Sequence, residues 1–201
     1  RDQMCLLKGA GVNLQYYDYQ KYPENDKVHF LYLGRIMKEK GMDELFSAAK
    51  ELQRKDVPFV LDLVGFFEDE YKEKIDQLVS DGIAVFHGFK EDPRPYYAGA
   101  DCVVLPSYHE GMSNVLLEAA ATGRPVITSN IPGCKEAVDD GKSGFLCEAR
   151  DWNDLHLKMD KIAHMSHLER EAMGLCARDK MMQEFDKNKV VKKTIQGIVR
   201  V

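Results

Sequence analysis

Two carboxylates, Glu110 and Glu118, stand eight positions apart within SYHEGMSNVLLEAAATG, Ser107 to Gly123. Between them run Gly111, Met112, Ser113 and Asn114, then the apolar Val115, Leu116 and Leu117. Serine and asparagine suit a helix cap, which predicts a helix starting near Ser113. Glu118 then falls on its second turn, roughly 7 Å along the axis, with its side chain tilted back toward the start. The unsatisfied N–H groups of a helix start favour an anion. A phosphate at that start, with carboxylates nearby to accept hydrogen bonds from hydroxyls, is the chemistry of a sugar nucleotide. The plainer alternative is that Glu110 complements the helix dipole and Glu118 lies on a solvated stripe.

A second set of candidates lies in LGRIMKEKG, where Gly34 and Arg35 are followed by Lys40 and Gly41. Arginine offers a planar fork of donors and lysine a compact charge, and both suit phosphate oxygens. Gly34 would let a ligand approach the backbone closely. Cations fixed there would stabilise the charge that develops on a departing diphosphate, so a metal ion would be dispensable. The competing reading is that Arg35 and Lys40 are solvated charges beside Lys38 and Glu39.

These residues need elements to place them. Val28–Leu33, Phe59–Val64, Ile83–Phe86, Cys102–Leu105, Val126–Thr128 and Gly144–Cys147 read as strands. Helices are expected from Asp43, over Asp69–Ser80 and Pro93–Ala98, after Ser113, over Lys135–Val138, and through most of the chain after Cys147. Leu155, Met159 and Ile162 are expected to share a helix face, as are Leu168, Ala172 and Leu175. A last helix is marked by Val190, Val191, Thr194, Ile195 and Ile198. Alternation of strands and helices implies an α/β fold, a doubly wound parallel six-stranded sheet flanked by helices. With strand order 3-2-1-4-5-6, strands 1 and 4 are neighbours, and the crevice at their C-terminal ends is the ligand site. Both candidate sets leave from those two strands.

Composition narrows the classes. The 201 residues suffice for one large domain. The net charge of −5 comes without a basic block, which disfavours a nucleic-acid partner. No apolar run approaches about 18 residues, the length that spans a membrane. Five cysteines without CxxC spacing read as reduced thiols of a cytosolic protein. The six histidines, His87 and His109 included, form no ligand cluster in sequence, so no metal or other cofactor is expected. Neither GxGxxG nor GxxxxGK[ST] occurs. Phe89, after Gly88, could flank a nucleobase or fill the core. The chain opens on Arg1 without a signal-peptide pattern, and reads as a fragment or a processed product.

Three stretches, LGRIMKEKG, HEGMSNVLLEAAATGRPVI and IPGCKEAVDDGKSGFL, carry a resemblance to the C-terminal, donor-binding domain of family 4 retaining glycosyltransferases of GT-B fold. The resemblance implies that Arg35 and Lys40 hold the donor diphosphate, with Gly34 beside them. It places Glu110 at the transferred sugar as the catalytic carboxylate. Gly111, Met112, Ser113 and Asn114 would form the sugar and phosphate loop, Glu118 would accept the ribose hydroxyls, and the stretch around Phe89 would meet the base. It further implies a lead-in over 1–26, a nucleotide-sugar-binding Rossmann-like domain over 27–184 and a C-terminal helix over 185–201 that packs toward an absent N-terminal Rossmann-like domain. The expected enzyme is metal-independent, takes a UDP-sugar first and a GDP-sugar second, and acts on a polysaccharide or lipid-linked glycan. It would work in the cytoplasm or at the inner face of the membrane, with any peripheral contact made by the missing domain. The rivals are a non-catalytic nucleotide-sugar-binding module and a nucleotide-sugar epimerase of related fold.

Overall fold

The structure is a computed structural model, and it describes residue 9 and residues 11–199. Six parallel strands are hydrogen-bonded in the order β3-β2-β1-β4-β5-β6. They are β1 (Val28–Leu33), β2 (Phe59–Val64), β3 (Ala84–Gly88), β4 (Cys102–Leu105), β5 (Val126–Ser129) and β6 (Gly144–Cys147). β4 and β5 are buried at every position, as expected of strands covered on both faces. The helices are α1 (Met42–Arg54), α2 (Lys72–Ser80), α3 (Arg94–Gly99), α4 (Asn114–Ala121), α5 (Trp152–His164), α6 (His167–Lys180) and α7 (Lys187–Val199). Crossovers run outward from β1 in one direction and from β4 in the other. Right-handed crossovers, the rule for parallel strands, put the helices of the two directions on opposite faces. α1 packs on α5, and α4 on α6.

Several expectations need correction. β3 starts after Ile83, whose N–H is spent on the carbonyl of Leu78, and it runs on to Gly88. α2 starts at Lys72 because the Asp69 carboxylate instead accepts the Lys38 N–H at 2.7 Å, tying down the loop after β1. The Leu168–Ala172–Leu175 face of α6 is not the buried one. Leu168 is 73% exposed, and the helix instead buries Met173, Gly174 and Ala177. Gly174 sets this: a Cβ there would lie 2.1 Å from the carbonyl oxygen of Gly123 just after α4. The last helix begins at Lys187, two residues inside the expected 185–201. The side chain of Ile198 and all of Cys5 lie outside the described residues. Cys102, Cys134, Cys147 and Cys176 are free thiols. Among the described residues no helix is long and apolar enough to cross a membrane.

The segment before β1 is strapped to the domain. Val12 bridges to Asp186, and two arginines, Arg124 buried and Arg178 half-buried, bind its carbonyls. Arg124 donates to Gln20 and Lys21, and Arg178 to Leu14 and Tyr17.

The histidines are not all isolated. Asp62 on β2 bridges His29 Nδ1 and His87 Nε2, each at 2.7 Å. Burial works against its charge, but the two imidazoles still hold the Asp62 carboxyl below its ordinary range. The bond to Asp62 pushes His29 up. The Asp62 contribution is present above the unfolded carboxylate value, about pH 4, and lost as pH falls through its folded pKa. The His29 contribution is present below about pH 6.5 and lost as pH rises through its folded pKa. Urea unfolding of wild type and Asp62→Asn across pH should therefore show the largest stability gap between about pH 4 and 6.5. A gap independent of pH would show that the bridge contributes nothing through ionisation.

Candidate active site at the β1 and β4 ends

The loops leaving β1 and β4 meet directly. A Cβ on Gly41 would lie 2.1 Å from the carbonyl oxygen of Pro106, and its φ of 72° suits glycine. Tyr108 N–H donates to the carbonyl of Glu39 at 2.8 Å. A short 3-10 turn over Lys38–Lys40 then delivers Lys40 to the β4 side. Lys40 Nζ donates to Glu110 Oε1 at 2.6 Å, and Ser107 Oγ donates to the same oxygen at 2.9 Å. Both side chains are 15% exposed, so water screens this charge-assisted pair weakly. Residues 70 positions apart thus share one spot at the mouth of the crevice.

Arg35 is placed differently. Its guanidinium closes on both oxygens of Glu68, from the loop after β2, at 2.9 and 3.1 Å, half in solvent. Tyr32, buried in β1, donates to the Arg35 carbonyl at 2.5 Å and so fixes the backbone there. At Gly34 a Cβ would find ordinary contact. The tight packing belongs to Gly65, whose Cβ would lie 1.8 Å from the Gly34 carbonyl oxygen.

The loop from Glu110 to Ser113 rests on Gly133, in the third motif stretch. A Cβ on Gly133 would lie 1.6 Å from the Gly111 carbonyl oxygen, and the Gly133 carbonyl accepts the Ser113 N–H at 3.0 Å. The Ser113 amide is therefore spent internally. α4 begins at Asn114 with Ser113 as N-cap, as the sequence predicts, though the serine side chain makes no cap bond. The first N–H groups of the helix have no intrahelical partner and point out of its start.

Glu118 sits on the second turn of α4, half-buried. Burial pushes its carboxyl up, while hydrogen bonds from Tyr97 and Tyr17 oppose this. The Tyr97 hydroxyl donates to Oε2 at 2.9 Å. Beside the carboxylate lies a cavity of about 220 Å³, whose walls include Asn13, Tyr17, Asn114 and Lys187. The solvated-stripe alternative for Glu118 does not describe this setting. Phe89 is not core: it is 67% exposed and meets Phe66 edge to face at 6.1 Å. Among the described residues no group of three His, Cys, Asp or Glu could hold a metal ion.

Sequence reading missed Ser107, Tyr17, Tyr97 and Gly133. Ser107 and Gly133 did lie in stretches already singled out. The tyrosines look like lead-in and core until the fold brings them to Glu118.

Comparison with known proteins gives a consistent picture. The sequence profile described as Glycosyl transferases group 1 matches residues 18–180. The capsular polysaccharide biosynthesis glycosyltransferase CapM of Staphylococcus aureus is 32% identical over 166 residues, covering 80% of this chain and 43% of that protein. The N,N'-diacetylbacillosaminyl-diphospho-undecaprenol alpha-1,3-N-acetylgalactosaminyltransferase of Campylobacter jejuni is 25% identical, covering 100% of this chain and 55% of that protein. In structure, HepE of Anabaena, solved in complex with UDP, superposes with a TM-score of 0.80 at 19% identity. The match covers 95% of this chain and 56% of that one. The chain spans about half the length of the curated relatives it matches.

Proposed function

Because this chain belongs to the glycosyl transferases group 1, we propose that it is the donor-binding half of a retaining, metal-independent glycosyltransferase that uses a nucleotide-diphosphate sugar. The observation that carries this reading is the meeting of Lys40 and Glu110 at the point where strand order reverses. Lys40 and Arg35 serve the diphosphate, with the start of α4 and the loop Gly111–Asn114. Arg35 would exchange the Glu68 carboxylate for phosphate oxygens. As the anomeric bond breaks, charge builds on the diphosphate, and these fixed cations and N–H groups stabilise it without reorganising. Glu110, poised on Lys40, faces the transferred sugar. Glu118 accepts the ribose hydroxyls, and Phe89 flanks the base.

UDP is the first nucleotide to test and GDP the second. The acceptor is a polysaccharide or a lipid-linked glycan, the class of product or substrate that the names of the two relatives carry. Residues 1–26 act as a lead-in, 27–184 as the donor domain, and 185–201, which include α7, as the segment that packs toward an N-terminal Rossmann-like half. The enzyme works in the cytoplasm, and that other half makes any contact with the inner face of the membrane.

The test is at Glu118. Calorimetric titration should show UDP binding more tightly than 2′,3′-dideoxy-UDP. Glu118→Gln should weaken UDP by about 1–3 kcal/mol, the scale of a lost charged hydrogen bond, and narrow the difference between the two ligands. Equal affinities in the wild type would falsify the ribose assignment.

A further inference from the structure

The two tyrosines on Glu118 are held from behind. The backbone carbonyl of Tyr97 accepts from Arg124 Nε at 2.9 Å, and that of Tyr17 accepts from Arg178 Nη1 at 2.8 Å. Arg124 is fully buried, and its other N–H groups bind the carbonyls of Gln20, Lys21 and Ala98. One guanidinium thus joins the lead-in to α3. Arg178 on α6 also donates to the carbonyl of Ala121, the last residue of the helix that carries Glu118. Arginine keeps its charge when buried, and here carbonyl oxygens alone satisfy its donors. The tyrosine rings meet edge to face at 6.1 Å. The result is a closed frame in which the lead-in, α3, α4 and α6 fix the Tyr97 hydroxyl on the Glu118 carboxylate and hold Tyr17 in the wall of the same cavity.

We propose that Tyr17 and Tyr97 are positioning residues of the nucleotide site: their hydroxyls keep Glu118 ionised and aimed at the ribose diol, and Arg124 and Arg178 make the lead-in a fixed wall of that site. This rests on the ribose role proposed for Glu118. Burial acting alone would push the Glu118 carboxyl up toward its protonated form, which has less acceptor capacity. Two hydroxyl donors favour the charged form and leave lone pairs for a ligand. The groups that face Glu118 are Tyr97 from α3, Tyr17 from the lead-in and Lys187 at the start of α7, with Asn13 and Asn114 uncharged beside them. Asp92 and Arg94 act one step further out, on Tyr17.

The readout is the Kd of 2′,3′-dideoxy-UDP divided by that of UDP, measured by calorimetry from about pH 4 to 9, which spans the ordinary carboxylate range and values above it. The ratio cancels the titration of the phosphates that both ligands share. In the wild type it should be well above one at high pH and fall on acidification. In Tyr17→Phe and Tyr97→Phe, which keep the rings, the midpoint of that fall should move up by about one pH unit, the worth of one hydrogen bond to a charge. The high-pH ratio should stay near that of the wild type. An unmoved midpoint, or a ratio lowered equally at every pH, would overturn the positioning role while leaving Glu118 as the ribose acceptor. A wild-type ratio of one throughout would overturn the Glu118 assignment and this inference with it.

Discussion

This chain alone is expected to bind a nucleotide diphosphate and to transfer no sugar. The groups proposed to bind it, Arg35, Lys40, the start of α4 and Glu118, lie on one sheet edge and need no second half. Transfer also needs an acceptor held in near-attack geometry, which can supply about 7–11 kcal/mol of the barrier. Among the described residues, Glu110 and its loop are the groups proposed to face the donor sugar, and a side left open to water would expose the reacting carbon. Curated relatives run to about twice the matched length. Joined to a corresponding other half, the chain should transfer. A paired assay with one donor and a crude acceptor extract, following nucleotide release, checks this. Comparable transfer by both would show that catalysis needs only these residues.

Gly133→Ala is expected to cost both stability and donor affinity. The φ of 87° is strained for alanine, at about 1–3 kcal/mol. The larger problem is the Cβ at 1.6 Å from the Gly111 carbonyl oxygen and 2.6 Å from that of Glu110. Both contacts are backbone, so a rotamer change cannot relieve them. The loop from Glu110 to Ser113 must move, breaking the Ser113 N–H bond to Gly133 and pulling Glu110 off Lys40 and Ser107. Thermal unfolding and UDP titration should show a lower Tm together with weakened UDP binding. Gly141→Ala is the control: its φ of 75° is equally unfavourable, but a Cβ there meets open space. It should lose some stability and keep its affinity. An equal loss of affinity in both would show that the loop contact is irrelevant to the site.

Much of the fold was legible because its signals are local. β1, β2, β4 and β6 are short, mostly apolar runs between turn residues, and their limits match the expected ones. The strand order assumed for a doubly wound sheet is the one observed, and it brings the β1 and β4 loops together. Lys40 and Glu110 were legible for the same reason. What failed depended on distant partners. The exposed Leu168 and Leu175 of α6 imitate a core stripe, and only the close packing of Gly174 on Gly123 reveals which face is buried. β3 reaches His87 and Gly88, where Asp62 of the neighbouring strand bonds the imidazole. Tyr17 and Tyr97 reach Glu118 from positions 101 and 21 residues away, and no periodicity announces such a meeting.

The most direct test of a diphosphate site built from protein cations is calorimetric titration of UDP and uridine into wild type and Lys40→Met, in EDTA and in magnesium. The account predicts that UDP binds the wild type comparably in both buffers and more tightly than uridine does. Lys40→Met should lose about 1.5–3 kcal/mol for UDP, the range of a charged hydrogen bond, and little for uridine. A strict magnesium requirement, or equal losses for UDP and uridine, would contradict it.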